Sequence, residues 1–290
     1  MHELVFLNGQ FIAKEKAKIS PFDRGFLFGD AIYEGVPIYK KQAFLLKEHY
    51  YRLSKNLNKI GIEQVLSLEK FTQIIATLVS SNSIYASFGI YFQISRGEQE
   101  HRSHKYPANI QPTIFACIQP TNKACFNIYK NGFIANAELD SRWHKTHIKA
   151  TSLLANILHL QNDAIETILY DQSLNFVEGC SSNVFFVKDN TILTPPQTKN
   201  ILPGITRAHL FNLAASIGID IIETDCNLIN LSDYEEAFIT GQYKEILPIV
   251  KINEQKIGSG TPGKIWEKLF FEYKDTIDNL LTPLCVSTTN

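Results

Sequence analysis

Short apolar runs crowd the second half of this chain. Residues 167–170, 176–177, 184–187 and 192–194 each read as a strand, the last pair joined across Asp189-Asn190, and two more are expected at 237–240 and 246–250. Strands clustered in this way, rather than alternating strictly with helices, point to an α+β chain. The first half has the same character. Residues 5–12 carry Asn8-Gly9 at their centre, the dipeptide that supplies positive φ to a tight hairpin. Further strands are expected at 36–39, 90–96, 112–118 and within 126–134. In 90–96, Ile90, Phe92 and Ile94 face one way while Tyr91, Gln93 and Ser95 face the other, so the polar side is either solvated or lines a site.

Helices are expected at 47–60, where Leu46, Leu53, Leu57 and Ile60 share a face and Gly61 follows, and from Leu68 to Leu78 behind Ser67 as N-cap. Others are placed at 150–164, at 205–217 ending on Gly218, and at 264–281 after Pro262-Gly263. The segment 28–36 is too rich in glycine for a plain helix. At 290 residues the chain exceeds the usual size of one core. The polar stretch 119–123 has linker composition, which divides the chain into domains 1–120 and 121–290.

The net charge of -1 gives no electrostatic reason to invoke nucleic acid or an anionic membrane. No apolar run approaches the ~20 residues that span a bilayer, and the first residues lack the basic and apolar regions of a signal peptide. Five scattered cysteines without a C-x-x-C argue against a disulfide framework or a zinc site, and no metal is expected. The expected compartment is the cytoplasm.

Three places can carry chemistry. Lys149 stands at the mouth of an otherwise apolar helix, where desolvation makes a Schiff-base nucleophile possible; a solvated lysine is the plainer alternative, and spacing does not choose between Lys149 and Lys145. Glu178 lies between Phe176-Val177 and a small polar run; buried, it needs a cationic partner, and otherwise it is a turn glutamate. Gly204-Ile205-Thr206 opens a helix whose amides attract phosphate. Arg52 can offer phosphate a guanidinium fork. Tyr91, Arg102 and His104 can trap a carboxylate, or the last two belong to a basic surface loop.

The order of Phe6-Leu7-Asn8-Gly9, Ser20-Pro21-Phe22-Asp23-Arg24-Gly25-Phe26, Phe28-Gly29-Asp30, Tyr33-Glu34, Glu48-His49-x-x-Arg52-Leu53, Ile148-Lys149, Glu178-Gly179-x-Ser181-Ser182-Asn183-Val184 and Gly204-Ile205-Thr206-Arg207 resembles the class IV pyridoxal-phosphate aminotransferases over nearly the whole chain. The resemblance implies a two-domain fold of type IV, with a smaller N-terminal α/β domain and a larger strand-rich C-terminal α/β domain holding the Schiff-base lysine. It implies pyridoxal 5'-phosphate as cofactor and a homodimer acting on small amino and keto acids. Lys149 then is the Schiff-base lysine, Glu178 holds the pyridinium proton, and Arg52 with the amides of Ile205 and Thr206 binds the phosphate. Arg142, Leu202, Ser181 and Gln242 join the cofactor set, and Tyr33 joins the substrate pocket.

Within the family, the Tyr91, Arg102 and His104 set resembles the carboxylate trap of D-amino acid aminotransferases, which implies ping-pong transfer between a D-amino acid, such as D-alanine or D-glutamate, and a 2-keto acid. Thr240-Gly241 looks instead like the branched-chain, L-specific subgroup. Gln242 and Tyr243 depart from the small hydroxyl residue that the family usually offers to the phosphate. An aminodeoxychorismate lyase and a non-catalytic cofactor-binding protein are further alternatives.

Overall fold

The computed structural model describes residues 3–63, 65–82, 88–121 and 126–284. In chain order its elements are β1 (Leu4–Leu7), β2 (Gln10–Ala13), α1 (Arg24–Phe28), β3 (Ala31–Tyr39), β4 (Gln42–Phe44), α2 (Leu46–Lys59), α3 (Leu68–Ser81), β5 (Phe88–Ser95) and β6 (Thr113–Pro120). There follow α4 (Phe126–Tyr129), β7 (Phe133–Leu139), α5 (Leu154–His159), β8 (Glu166–Tyr170), β9 (Phe176–Gly179), β10 (Asn183–Lys188), β11 (Thr191–Thr194) and α6 (Ile205–Ser216). The chain continues with β12 (Ile221–Glu223), β13 (Glu236–Gly241), β14 (Glu245–Ile252), β15 (Gln255–Lys256), α7 (Lys264–Asn279) and β16 (Leu281–Thr282). It falls into two compact units. The first comprises Met1–Asn122, Ile148–Ser152 and Leu280–Asn290, and the second Lys123–His147 and Leu153–Asn279.

The sheet of the first unit has the order β16-β4-β3-β5-β6-β1-β2. Its hairpin β1–β2 turns at Asn8 and Gly9, both at positive φ. The alternation read in residues 90–96 is real: Ile90, Phe92 and Ile94 are fully buried against α2 and α3, which bring Leu53, Leu57, Phe71, Ile75 and Leu78 to the same core. Each such side chain contributes about 1.5–3 kcal/mol on leaving water. Ser67 caps α3 by accepting from the Lys70 amide at 3.1 Å. The glycine-rich segment splits into the short α1, closed by Gly29 at φ 64°, and the nine-residue strand β3.

The sheet of the second unit runs β12-β11-β10-β13-β14-β7-β8-β9, with β15 on β14. It is mixed, for β7 lies parallel to both β14 and β8, and β11 parallel to β12. Phe185 and Phe238 stack across β10 and β13 at 5.2 Å. On α7, the amides of Ile265 and Trp266 donate to the Glu236 carboxylate at 2.9 and 2.8 Å, so an acid from β13 caps the helix.

Three expectations need correction. The helix expected over 150–164 is confined to α5. Ala150 bridges Ile32, the Thr151 amide donates to Ala31 O at 3.1 Å, and the Thr151 hydroxyl donates to Gly29 O at 3.2 Å, so these residues are spent on β3 and its approach. The strands expected within 126–134 become one turn of helix and the start of β7, broken at Gly132, whose φ is 69° and where a Cβ would sit 2.1 Å from Val250 Cγ1. Lys149, expected in the second domain, sits with the first unit, because Ile148–Ser152 lies along β3.

Candidate functional site

The first unit gathers one set of polar groups around β3. Lys149 is fixed by its backbone: its carbonyl accepts from the Tyr33 amide at 3.0 Å, and its amide donates to Asn56 Oδ1 at 3.4 Å. Its neighbour Ile148 is buried in the core, while the lysine side chain is half-buried with Nζ 4.2 Å from the centre of the Tyr33 ring. Lys145 is exposed. Tyr33 stacks in turn on Tyr91 at 5.8 Å, and the Tyr91 hydroxyl donates to Gln93 Oε1 at 2.7 Å. Burial, with Tyr33 and Cys117 adding to it, raises the Tyr91 phenol above its usual range.

Arg52, on α2, grips Glu34 of β3 with two prongs, Nε at 2.8 Å and Nη2 at 2.6 Å. His49 Nδ1 is 3.1 Å from the same carboxylate, and the Gly35 amide donates to it at 2.9 Å. Burial alone would raise Glu34, but the Arg52 and His49 charges and hydrogen bonds outweigh it and hold the carboxyl well below its usual range. Burial pushes His49 down, with Glu34 opposing and Arg52 and Lys149 assisting. The carboxylate thus sets the angle of the Arg52 fork. Glu34 and His49 stood in the quoted motifs without a role; the signal was an acid in the middle of an apolar strand.

Arg102 and His104 are exposed, and both lie on one ring: the Arg102 guanidinium is 4.9 Å and the His104 ring 5.5 Å from the centre of Phe28.

The second unit builds a buried carboxylate. Glu178, at the end of β9, accepts from Arg142 Nη1 at 2.8 Å, from the Leu202 amide at 3.0 Å and from Asn183 Nδ2 at 3.2 Å. Arg142 is held on its other edge by Asp140, through Nε at 3.0 Å and Nη2 at 2.9 Å. With most of the guanidinium committed to Asp140, one prong does not offset the cost of burying Glu178, and desolvation pushes that carboxyl up to about 7. Asp140 itself is lowered: burial works against it, and its hydrogen bonds and charge pairing with Arg142 prevail. A second cation at Glu178 would complete the pairing.

Gly204 opens α6 with no side-chain cap, and Ile205 and Thr206 head the helix. A Cβ on Gly204 would meet Asn183 Oδ1 at 2.0 Å, so only glycine lets Asn183 reach both Glu178 and the Leu202 carbonyl. On β13, Thr240 pairs with Asn183 in the ladder, and its Oγ1 is buried with no hydrogen-bond partner among the described residues. Gln242 follows in the turn between β13 and β14. An uncapped helix start and an orphaned hydroxyl in one unit are features an anion would satisfy.

The Ser181 hydroxyl is occupied differently. It donates to the fully buried Glu166 at 2.9 Å and accepts from Lys244 Nζ at 2.9 Å, while Lys244 pairs with Glu166 at 2.7 Å. Ser182 also donates to Glu166, at 2.8 Å, so this acid pins the turn just after Glu178. Sequence reasoning missed Glu166 and Lys244 because they lie 15 and 63 positions from Ser181.

Residues 31–252 match the family model for amino-transferase class IV. A D-alanine aminotransferase of Staphylococcus aureus (strain N315) is 32% identical over 272 residues, which is 92% of this chain and 95% of the relative. One from Bacillus licheniformis is 35% identical over 265 residues, 90% and 92% of the two chains. Among solved structures, the T.th. branched-chain amino acid aminotransferase with pyridoxamine 5'-phosphate has a TM-score of 0.89 at 23% identity, covering 98% of this chain and 99% of that one. The branched-chain aminotransferase of Thermoproteus uzoniensis with norvaline has a TM-score of 0.87 at 24% identity, covering 97% and 99%. At these identities the structural likeness is one of fold.

Proposed function

The chain belongs to the class IV amino-transferase family, and we propose that it moves an amino group between a D-amino acid and a 2-keto acid in two alternating half-reactions. It is a pyridoxal-phosphate-dependent aminotransferase of fold type IV. The residues present fit that cofactor. Glu178 is a desolvated carboxylate short of positive charge, Thr240 Oγ1 has no hydrogen-bond partner among the described residues, and α6 starts without a side-chain cap. Bound, pyridoxal phosphate supplies an aldehyde that condenses with amines and a ring that takes up the electron pair released at the substrate Cα.

Lys149 Nζ would hold the cofactor between turnovers and then move the proton to and from the substrate Cα. Glu178 would meet the protonated ring nitrogen, while Arg142 and the Leu202 amide keep its carboxylate in place. Leu202 would pack on the ring. For the phosphate, the proposed set is the amides of Ile205 and Thr206 with Arg52, which is aimed by Glu34. Ser181, held by Glu166 and Lys244, and Gln242 complete the proposed set. Tyr33 and Tyr91 would line the pocket, and Arg102 and His104 would take the substrate carboxylate.

The observation that carries the D-amino acid reading is the placement of Arg102 and His104 against one ring, Phe28. The D-alanine aminotransferase relatives, matched over nine-tenths of the chain, support it. The test is a panel of D- and L-amino acids with pyruvate or 2-oxoglutarate, scored by enantiomer, with Arg102→Ala alongside. Strong loss on D-alanine supports the trap; indifference of the variant defeats it. Thr240-Gly241 favours the second reading, a branched-chain L-amino acid aminotransferase, and turnover of L-leucine would establish it. Product released without any keto-acid acceptor would instead mark a lyase.

We also propose a homodimer working in the cytoplasm. On the six-residue α5, Leu154, Ile157 and Leu158 are 70%, 52% and 65% exposed, a patch suited to a second copy. Sedimentation equilibrium tests it.

A further inference from the structure

We propose that Arg24 is the positioning residue that holds the Arg102–His104 loop in shape to receive a carboxylate. The inference rests on the D-amino acid reading and assigns a function to a residue outside the pocket. Arg24 opens α1 and is only 4% exposed. Its guanidinium spreads its donors over four acceptors. Nε reaches Asp30 Oδ2 at 2.8 Å, and Nη1 reaches both Gln99 Oε1 and the Ser103 carbonyl at 2.6 Å. Nη2 reaches the His104 carbonyl at 3.2 Å. The two carbonyls gripped are those that immediately follow Arg102 in the chain.

The other end of the loop is tied to the same place. The Arg24 amide donates to Gly97 O at 2.9 Å, the Gln99 amide donates to Phe22 O at 3.3 Å, and Ser20 Oγ donates to Glu98 at 2.7 Å. A stretch with no regular secondary structure and exposed tips is therefore clamped at both ends by residues 20–24. The clamp is itself braced. Asp30 also accepts from Arg96 at 2.8 and 3.1 Å, and the Arg96 guanidinium lies over the Tyr106 ring, 3.8 Å from its centre. Arg24 further lies 4.7 Å from the centre of Phe28, the ring that carries Arg102 and His104.

A lysine keeps the charge at this position but not the fork, since a single ammonium does not span Asp30, Gln99 and two successive carbonyls. Without the fork, Arg102 and His104 would be ordered only as substrate binds, which weakens binding without touching the chemical step. The loss of one charge-assisted hydrogen bond corresponds to a rise in KM on the order of tenfold.

The experiment compares holoenzyme, Arg24→Lys and Arg102→Ala with D-alanine and 2-oxoglutarate, together with amide hydrogen exchange over residues 98–107. Arg24→Lys is expected to raise KM for both substrates about tenfold. It should leave saturated kcat and the cofactor absorbance near wild type and speed exchange in the loop. An unchanged KM, or kcat falling in step with loss of the cofactor band, overturns the proposal. If Arg102→Ala raises KM and Arg24→Lys does not, the clamp alone is wrong; if Arg102→Ala has no effect on D-alanine, the carboxylate trap is wrong. Should Arg24→Lys fail to fold, Gln99→Met removes one of the acceptors and must raise KM in the same direction, and its indifference overturns the proposal too.

Discussion

Glu34→Gln tests whether the buried ion pair at β3 is what keeps Arg52 aimed. The substitution preserves shape but removes the charge and turns an amide N–H₂ toward one of the Arg52 or His49 donors that Glu34 now accepts at 2.6–3.1 Å. Two unit charges about 4 Å apart at an effective dielectric of about 20 attract by about 4 kcal/mol, and breaking a buried pair from one side costs about 3–5 kcal/mol. The two routes agree on about 4 kcal/mol. At about 2–4 °C per kcal/mol, the midpoint should fall by roughly 8–16 °C.

The sign with pH is fixed by the lowered Glu34 carboxyl. Its stabilisation is present above the ordinary value of 4.5 and is lost as pH falls toward the lower folded value. The gap between wild type and variant should therefore be constant from about pH 6 to 8 and narrow below about pH 4. Circular dichroism melts of the cofactor-free protein follow both units, whereas Trp143 and Trp266 both lie in the second unit and report on it. A shift below about 2 °C, worth under about 1 kcal/mol, or a gap that does not narrow in acid, would refute the reasoning.

Glu178 should behave with the opposite sign. Its carboxyl is raised from 4.5 to about 7, so the cofactor-free fold loses stability, on the order of 3 kcal/mol, as pH rises between those values. Glu178→Gln removes that dependence, which tryptophan-detected melts from pH 5 to 8 would show as diverging curves; parallel curves would contradict it. Gly204→Ala drives a Cβ to 2.0 Å from Asn183 Oδ1 and should cost about 1–3 kcal/mol in melting stability. An unchanged midpoint would mean that Asn183 gives way without cost.

The parts legible in the sequence are those whose cause is local. The α3 cap at Ser67, the turn at Asn8-Gly9 and the alternation of Ile90, Phe92 and Ile94 depend on neighbours a few positions away. Residues 150–164 misled because Leu153, Ile157 and Leu160 keep helical spacing, while what stops the helix from starting at Ala150 is hydrogen bonding to Gly29 and Ala31. The order of motifs pointed to Lys149 and Glu178, but their settings come from afar: Arg142 lies 36 positions from Glu178, and Asn56 lies 93 from Lys149. Arg24 stood inside a quoted motif, and nothing local marked its function. Two of its acceptors are backbone carbonyls 79 and 80 positions away, and a carbonyl has no side-chain signature.

The strand order of the first sheet bears on how the chain is made. β4 pairs through Ala43 and Phe44 with Thr282 and Leu281 of β16. During synthesis, β4 therefore emerges early yet presents an unpaired edge until residues 281–282 leave the ribosome. The segment that carries Lys149 likewise reaches β3 only after the first unit's other strands, apart from β16, are complete. Shortening the chain to residue 279 should thus yield a protein whose defect appears at the opposite end of the sequence, as edge-to-edge association through β4. The first unit to be translated is the last to be finished.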